Sequence, residues 1–172
     1  QISEITRSVD EGLLKSVRLE TSELNELTIQ NDYFDRMQDL FGSPEENDSL
    51  SHAISQFGES IEDLVMTPER SLEKAEVVRQ AEDITLMLQD MTKGLQELRL
   101  QADQELASIA TSMNTIVTRI DELNDKIVIN TASKNDTTDL KDQRDVKLNE
   151  LAKYIDMRYF TRSDGDVVVY TA

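Results

Sequence analysis

The sequence VVRQAEDITLMLQDMTKGLQELRLQADQELASIATSMNTIVTRIDELNDKI, residues 77–127, decides the fold. Its apolar residues recur at steps of three and four, which places them on one face of an α-helix. They are Val77, Ala81, Ile84, Leu88, Met91, Leu95, Leu98, Ala102, Leu106, Ile109, Met113, Ile116, Ile120, Leu123 and Ile127. We call this set the long-helix seam. Two steps of four meet at Ala102, a stutter that locally relaxes a coiled-coil supercoil.

The long-helix seam predicts one very long helix over about residues 68–128. Thr67 and Pro68 would start it, because a capping hydroxyl and a proline both suit a first turn. At a rise of about 1.5 Å per residue, such a helix would be on the order of 90 Å long. It would be the central rod of an elongated molecule. The core residues expected along its second half are Leu98, Ala102, Leu106, Ile109, Met113, Ile116, Ile120, Leu123 and Ile127.

Three further helices are predicted over about residues 4–41, 48–66 and 138–155. The first carries its own stripe at helical spacing, which we expect to pack inside the bundle. This α1 stripe consists of Ile5, Val9, Leu13, Val17, Leu24, Leu27, Phe34, Met37 and Phe41. The connection at residues 66–68 is short, which favours antiparallel packing of the second and third helices. A polar loop at residues 130–137 precedes the last helix.

The C-terminal residues predict a β-hairpin. Two strand-like runs, 157–162 and 167–171, flank the sequence SDGD, where Gly165 suits a tight turn. A lone hairpin is marginal in water, so we expect a larger β element that continues beyond residue 172. The predicted fold is therefore mainly α: an elongated antiparallel helical bundle at residues 1–155, with residues 156–172 starting a β-rich region. Since residues 2–9 already read as a helix in progress, the chain is interpreted as an internal fragment.

The composition restricts the function. The chain has 35 acidic and 18 basic residues, a net charge of -17, no cysteine and one histidine. Such a charge repels nucleic acid and anionic membranes, so we expect protein partners. No nucleophile motif, phosphate loop or metal-ligand pattern is present, and we predict no enzymatic activity, no cofactor and no metal.

Four features of the sequence are candidate sites. Asp139, Asp142 and Asp145 lie one helical turn apart, which suits a metal or an acid–base pair, but a solvated or capping face neutralised by Arg144 is the favoured interpretation. The sequence Asp164-Gly165-Asp166 resembles part of a calcium loop, yet a hairpin turn fits better. Methionines 87, 91 and 113 suit either core filling or an adaptable groove, and core filling is preferred.

Asparagines near the end of the long helix form the fourth feature. Asn114 and Asn124 each lie beside a core position. Solvent exposure is the simpler interpretation. The alternative is that they hydrogen-bond to a neighbouring helix and fix its register.

These residues resemble the flagellar hook-associated protein 1 family. The resemblance rests on MNTIVTRIDELNDKI at 113–127, DLKDQRD at 139–145 and LNEL at 148–151, with weaker support from ITRSVDEGL at 5–13, LFG at 40–42 and SQF at 55–57. The motif positions are Asn114, Leu123, Asn124, Asp139, Leu140, Asp142, Gln143, Arg144 and Asp145.

The resemblance implies a structural subunit of the bacterial flagellum that joins hook and filament. It implies an extracellular location after export through the flagellar secretion apparatus, and terminal polymerisation segments outside this sequence. The implied partners are the hook protein, other hook-associated proteins and copies of the chain itself, while an export chaperone would bind outside this fragment. A signalling or adaptor coiled coil that dimerises through the long-helix seam is the alternative.

Overall fold

The computed structural model describes residues 9–43 and 48–171, and the fold over these residues is mainly α. The elements are α1 (Glu11–Phe41), α2 (Leu50–Met66), α3 (Ser71–Ala132), α4 (Thr138–Leu151), β1 (Met157–Thr161) and β2 (Val167–Thr171). Helix α3 alone has 62 residues. The predicted fold class, with one very long helix and a C-terminal hairpin, is confirmed. In the described part of the chain, no helix has the length and apolarity needed to cross a membrane.

The chain divides into two compact units. Unit 1 comprises residues 1–30 and 105–172, and unit 2 comprises residues 31–104. Unit 1 therefore contains the hairpin together with α4 and the second part of α3. The predicted division into a bundle at 1–155 and a β element from 156 onward stays a prediction.

The helix starts differ from the predicted ones. Residues 4–8, where α1 was expected to begin, lie outside the described residues, but Val9 and Asp10 are not helical. The Oδ1 atom of Asp10 accepts hydrogen bonds from the N–H groups of Gly12 (2.9 Å) and Leu13 (3.0 Å), so Asp10 caps α1.

The predicted start of α3 at Thr67 and Pro68 is wrong. Thr67 closes α2 instead, because its N–H and its hydroxyl both donate to the carbonyl of Asp63. A turn follows, in which the N–H of Arg70 donates to the carbonyl of Thr67, and α3 begins at Ser71. Ser49 caps α2 by accepting a hydrogen bond from the N–H of His52 at 3.3 Å.

Helix α3 also runs four residues further than predicted. Two residues after its end, Lys134 has a left-handed backbone (φ 57°) and its N–H donates to the carbonyl of Thr131, while the N–H of Asn135 donates to the carbonyl of Asn130. This is the hydrogen-bond pattern of a Schellman cap. The predicted polar loop is consequently shorter. Helix α4 ends at Leu151 rather than at residue 155, and a turn leads into β1.

The hairpin is antiparallel, with Met157 opposite Thr171 and Thr161 opposite Val167. Gly165 has a φ of 92° in the turn, and a Cβ there would lie 2.9 Å from Cγ2 of Ile127. Only glycine combines this φ with such a close approach at little cost. The turn of the hairpin is therefore fitted directly against α3.

The core of unit 1 joins α3, α4 and the hairpin. Its buried cluster consists of Ile116, Ile120, Leu148, Leu151, Ala152, Met157, Tyr159 and Val167. Leu123 and Ile127 are 1% and 0% exposed. These side chains show that the hairpin packs on helices of this chain, which supplies the apolar support that a lone hairpin lacks.

The α1 stripe does not pack inside the bundle as predicted. Among its described members, the large side chains with at least a third of their surface exposed are Val9, Leu13, Val17, Leu24, Leu27, Phe34 and Phe41. Helix α1 turns Arg18 inward instead, where it bonds to α4. In unit 1 this polar contact ties α1 to α4, while the residues of the stripe stay exposed.

In unit 2, α1 and α3 approach closely at Gly94. A Cβ on residue 94 would lie 2.5 Å from Cδ2 of Leu40, so the glycine makes room for that leucine. Met91, one turn earlier on α3, is buried. On α2, Phe57 is half-buried, whereas Ile54 and Ile61 are exposed.

Candidate functional site

A buried polar joint connects α3, α4 and the hairpin in unit 1. The side chain of Asn124 on α3 donates from Nδ2 to the carbonyl of Val167 (2.9 Å) and accepts the N–H of Val167 at Oδ1 (3.1 Å). The same Oδ1 accepts from Nη1 of Arg144 on α4 at 2.8 Å. Nη1 of Arg144 also donates to the carbonyl of Gly165 at 2.6 Å. One asparagine thus acts as an extra strand residue for β2 and positions the arginine.

This arrangement offsets part of the cost of burying the Arg144 guanidinium. Arg144 is 4% exposed and Asn124 is 8% exposed. A buried guanidinium is tolerated only when its donors are bonded, and each buried backbone group of β2 needs a partner as well. Asn124 bonds both backbone groups of Val167 and accepts one hydrogen bond from the guanidinium, because its amide offers a donor and an acceptor at once.

A second buried arginine ties α1 to α4. Arg18 is 3% exposed, and its Nη2 lies 3.0 Å from Oδ1 of Asp145. Its Nε donates to Oδ1 of Asn149 at 2.7 Å. The guanidinium also lies over the ring of Tyr159, 4.8 Å from the ring centroid, which is a cation–π geometry. Lys15 lies over the same ring at 5.2 Å.

Among the described groups around this joint, Tyr159 has the most clearly shifted pKa. Burial raises the pKa of its hydroxyl above the ordinary value of 10.0, and the nearby positive charge of Arg18 opposes that rise in part. The hydroxyl therefore stays neutral through the neutral pH range. Nothing in this arrangement forms a nucleophile and base pair.

The predicted core residues fall into three groups along α3. Ile116, Ile120, Leu123 and Ile127 are buried, while Leu98, Ala102, Ile109 and Met113 are half-buried. Leu106 is 64% exposed, so its predicted burial is wrong. The stutter explains this, because two consecutive steps of four turn the seam around the helix and carry Leu106 off the packed face.

The family-motif residues separate into buried and exposed sets. Leu123, Asn124 and Arg144 are buried, and Leu140 and Asp145 are half-buried. Asn114, Asp139, Asp142 and Gln143 are exposed, and Nε2 of Gln143 donates to Oδ2 of Asp139 at 2.7 Å. Asn124 thus follows the hydrogen-bonding alternative, although it bonds to a strand as well as to a helix.

The acidic residues of α4 do not form an ion site. Asp145 is engaged by Arg18, and the Asp139 carboxylate by Gln143. Within residues 9–43 and 48–171, no group of three or more His, Cys, Asp or Glu side chains is arranged to hold a metal. Asp136, one turn before Asp139, accepts the N–H of Thr138, and this bond lowers the pKa of its carboxyl group.

Sequence reasoning missed Arg18 and Tyr159. Arg18 follows Val17 of the α1 stripe, so its position in the helical pattern gave no sign of burial. Its partners lie 127 and 131 residues away in the sequence. Tyr159 had a signal in the alternation of β1, where residues 157 and 159 point to the buried face.

Comparison with known families decides the identity. The model of the flagellar hook-associated protein FlgK helical domain matches residues 34–172, which is most of the chain. The chain belongs to the FlgK family of flagellar hook-associated proteins. The match covers α2, α3, α4 and the hairpin, and so includes both motif blocks from which the resemblance was inferred. The weaker motif at residues 5–13 lies outside it. No curated protein matches the chain.

Membership of the FlgK family relates the polar joint to a structural protein of the flagellum. Proteins of this family are structural components of the flagellum, a motility appendage outside the cell, and they assemble with other flagellar axial proteins. In this chain, the motif residues Asn124 and Arg144 connect α3, α4 and the hairpin.

Proposed function

We propose that this chain is the helical part of a subunit that joins the hook to the filament and acts by packing against neighbours in a helical assembly. The match to a hook-associated family supports this position within the flagellum. Residues 1–155 would form the helical domain and residues 156–172 would lead into a β-rich region. The hook protein, other hook-associated proteins and further copies are the proposed partners. An export chaperone would bind outside these residues.

The polar joint is the observation that carries a mechanical role. A side chain that bonds to both backbone groups of Val167 resists sliding of the hairpin along α3, because any shift breaks two hydrogen bonds at once. The Arg18 contacts resist rotation of α1 against α4 in the same way. Such fixed geometry suits a subunit that transmits torque.

Labelling of isolated flagella tests the proposal. Gold-conjugated antibodies raised against this chain should bind at one place, between hook and filament, in electron micrographs of flagella from the source bacterium. Isolated hooks from a strain that lacks the gene serve as the control and should carry no label. Labelling along the whole filament would contradict the junction role and indicate a filament subunit.

The rival role as an adaptor that dimerises through the long-helix seam is less well supported. Ile116, Ile120 and Leu123 of that seam are buried against α4 and the hairpin of the same chain or lie beside that cluster. A dimer through these residues would require α4 and the hairpin to leave. A cysteine at residue 120 would report this directly, since the chain has none of its own. Rapid disulfide-linked dimer formation by Ile120→Cys would favour the adaptor.

A further inference from the structure

Two shallow grooves of unit 2 meet at Leu86 on α3. The first, about 510 Å³, is lined by Phe57 of α2 and by Val78 and Ala81 of α3. The second, about 450 Å³, is lined by Leu40 of α1 and by Met87 and Met91 of α3. Leu86 lines both grooves. We call the two grooves together the Leu86 surface.

The Leu86 surface is apolar and open. Val78 is 56% exposed and Leu86 is 58% exposed, although both lie beside half-buried residues of the same helix. Apolar side chains that line connected grooves, rather than standing singly, are typical of a binding surface. Met87 adds a flexible side chain that adapts to the shape of a partner. Helices commonly dock in grooves of this kind with residues at steps of three and four.

Carboxylates surround these apolar residues. Glu82 lines the first groove, and Asp39, Asp83 and Asp90 line the second. Asp83 is paired with Arg79. The side chains of Glu82, Asp39 and Asp90 make no hydrogen bond or ion pair within the part of the chain that the structure describes. No metal-binding group of acidic residues is present there either.

Unit 2 carries a large excess of negative charge. Residues 31–104 contain 17 acidic and 6 basic residues. Four of the six basic residues, Arg36, Arg70, Arg79 and Lys93, already pair with acidic residues close to them in the sequence. A complementary partner must therefore bring the positive charge itself.

We infer that the Leu86 surface is a docking site for an amphipathic helix of another protein, one that carries Lys or Arg beside its apolar stripe. Apolar side chains of that helix would fill the two grooves on either side of Leu86. Its cations would pair with Glu82, Asp39 and Asp90. A second copy of this chain fits poorly, because its unit 2 would bring the same excess of acid to the same surface. The inference rests on the proposed assembly role, to which it adds a partner of defined chemistry.

A synthetic helix is the probe for the test. A fluorescent peptide of about 18 residues, with Leu along one face and Lys on its flanks, is titrated with the chain at low salt and followed by fluorescence anisotropy. Leu86→Ser should weaken binding about tenfold, because an apolar side chain at the centre of the contact is lost. Leu106→Ser is the matched control, since Leu106 is an equally exposed leucine of the same helix in unit 1. It should change the affinity less than about twofold.

Charge is tested separately from apolar contact. The double variant Glu82→Gln, Asp90→Asn should weaken binding and flatten its dependence on salt, whereas Asp121→Asn, Asp125→Asn on the exposed side of α3 in unit 1 should do neither. A peptide with Glu in place of Lys should not bind.

Three results would overturn the inference. They are equal losses for Leu86→Ser and Leu106→Ser, binding of the acidic peptide with similar affinity, and self-association of the chain that Leu86→Ser abolishes in sedimentation equilibrium. The last would assign the surface to a second copy. Failure here leaves the junction labelling unchanged, so the two proposals are tested independently.

Discussion

Replacing Arg18 by Met measures how strongly α1 is tied to α4. The Met side chain keeps most of the apolar stem but removes the ion pair with Asp145 (3.0 Å), the hydrogen bond to Asn149 (2.7 Å) and the stacking on Tyr159. Breaking a buried ion pair typically costs about 3–5 kcal/mol. The side chain of Asp145 is 19% exposed and regains some hydration, so we expect a loss of about 3 kcal/mol in the free energy of unfolding.

Arg36→Met is a closely matched reference for this change. Arg36 lies on the same helix, pairs with Asp32 at 2.7 Å and lies over the ring of Tyr33 at 5.2 Å. The side chains of this ion pair are 39% and 53% exposed, however, and exposed pairs are worth only about 0.5 kcal/mol. The two variants therefore differ in burial far more than in the kinds of contact they remove.

Urea denaturation followed by far-ultraviolet circular dichroism provides the comparison. The midpoint should fall much further for Arg18→Met than for Arg36→Met, with similar slopes against urea. Hydrogen exchange should also accelerate at the amides of α4 in Arg18→Met alone. If the two variants agree within about 0.5 kcal/mol, Arg18 does not hold these helices together and the reasoning from burial fails.

Three further predictions concern the core, the hairpin turn and pH. Ile127→Ala leaves a cavity at a fully buried site and should lower the free energy of unfolding by about 2–5 kcal/mol. The control Ile129→Ala, at an exposed site, should change it by less than about 0.5 kcal/mol. Equal effects in urea denaturation would show that Ile127 is not part of the core. Gly165→Ala should lower the free energy of unfolding by about 2 kcal/mol in the same assay, because residue 165 has a positive φ and a Cβ there would contact Ile127. Gly58→Ala, in α2 where a Cβ meets open space, should raise it by about 0.5–1 kcal/mol. A gain at both positions would contradict the turn geometry. Because burial raises the pKa of Tyr159, the stability linked to its neutral hydroxyl is complete below the ordinary pKa of 10.0 and is lost as the pH rises beyond it. Tyr159→Phe should therefore lose stability less steeply than the unchanged chain in alkali. Parallel curves of unfolding free energy against pH for the two proteins would contradict this.

The regular elements were predictable because their signals are local. The seam from residue 77 to residue 127 predicted a helix that α3 contains in full, since a run of apolar steps without proline favours helix regardless of its partner. The hairpin turn was readable from Gly165, because few residues adopt its φ. Thr67 misled the prediction because a hydroxyl followed by proline suits a helix start, whereas here the same hydroxyl closes the preceding helix.

The orientation of the helices was not predictable in the same way. An apolar stripe marks a face but not its partner, and α1 shows that a polar contact with a distant helix overrides it. Arg18 finds Asp145 across 127 residues of sequence, which no periodicity records. Leu106 is exposed for a different reason, because the stutter was visible but the direction in which it turns the seam depends on the packing of neighbouring elements.

The motif positions stand between these cases. Asn124 and Arg144 were recognised as family residues, but their chemistry depends on the hairpin, whose place against α3 became apparent only in the fold. The prediction for Arg144 was neutralisation of acids on its own helix, and its hydrogen bonds to Asn124 and to the carbonyl of Gly165 were not foreseen. The motif therefore pointed to Asn124 and Arg144, and the tertiary contacts show which groups these residues bond.

A double-mutant cycle on Asn124 and Arg144 tests most directly whether the family-motif residues form a structural joint. The free energies of unfolding of Asn124→Ala, Arg144→Ala and the double variant are compared with that of the unchanged chain. A shared hydrogen bond at 2.8 Å within one buried network predicts strong non-additivity, with a coupling energy of about 1–3 kcal/mol. Additive losses within about 0.5 kcal/mol would show that the two residues act independently and would contradict the joint.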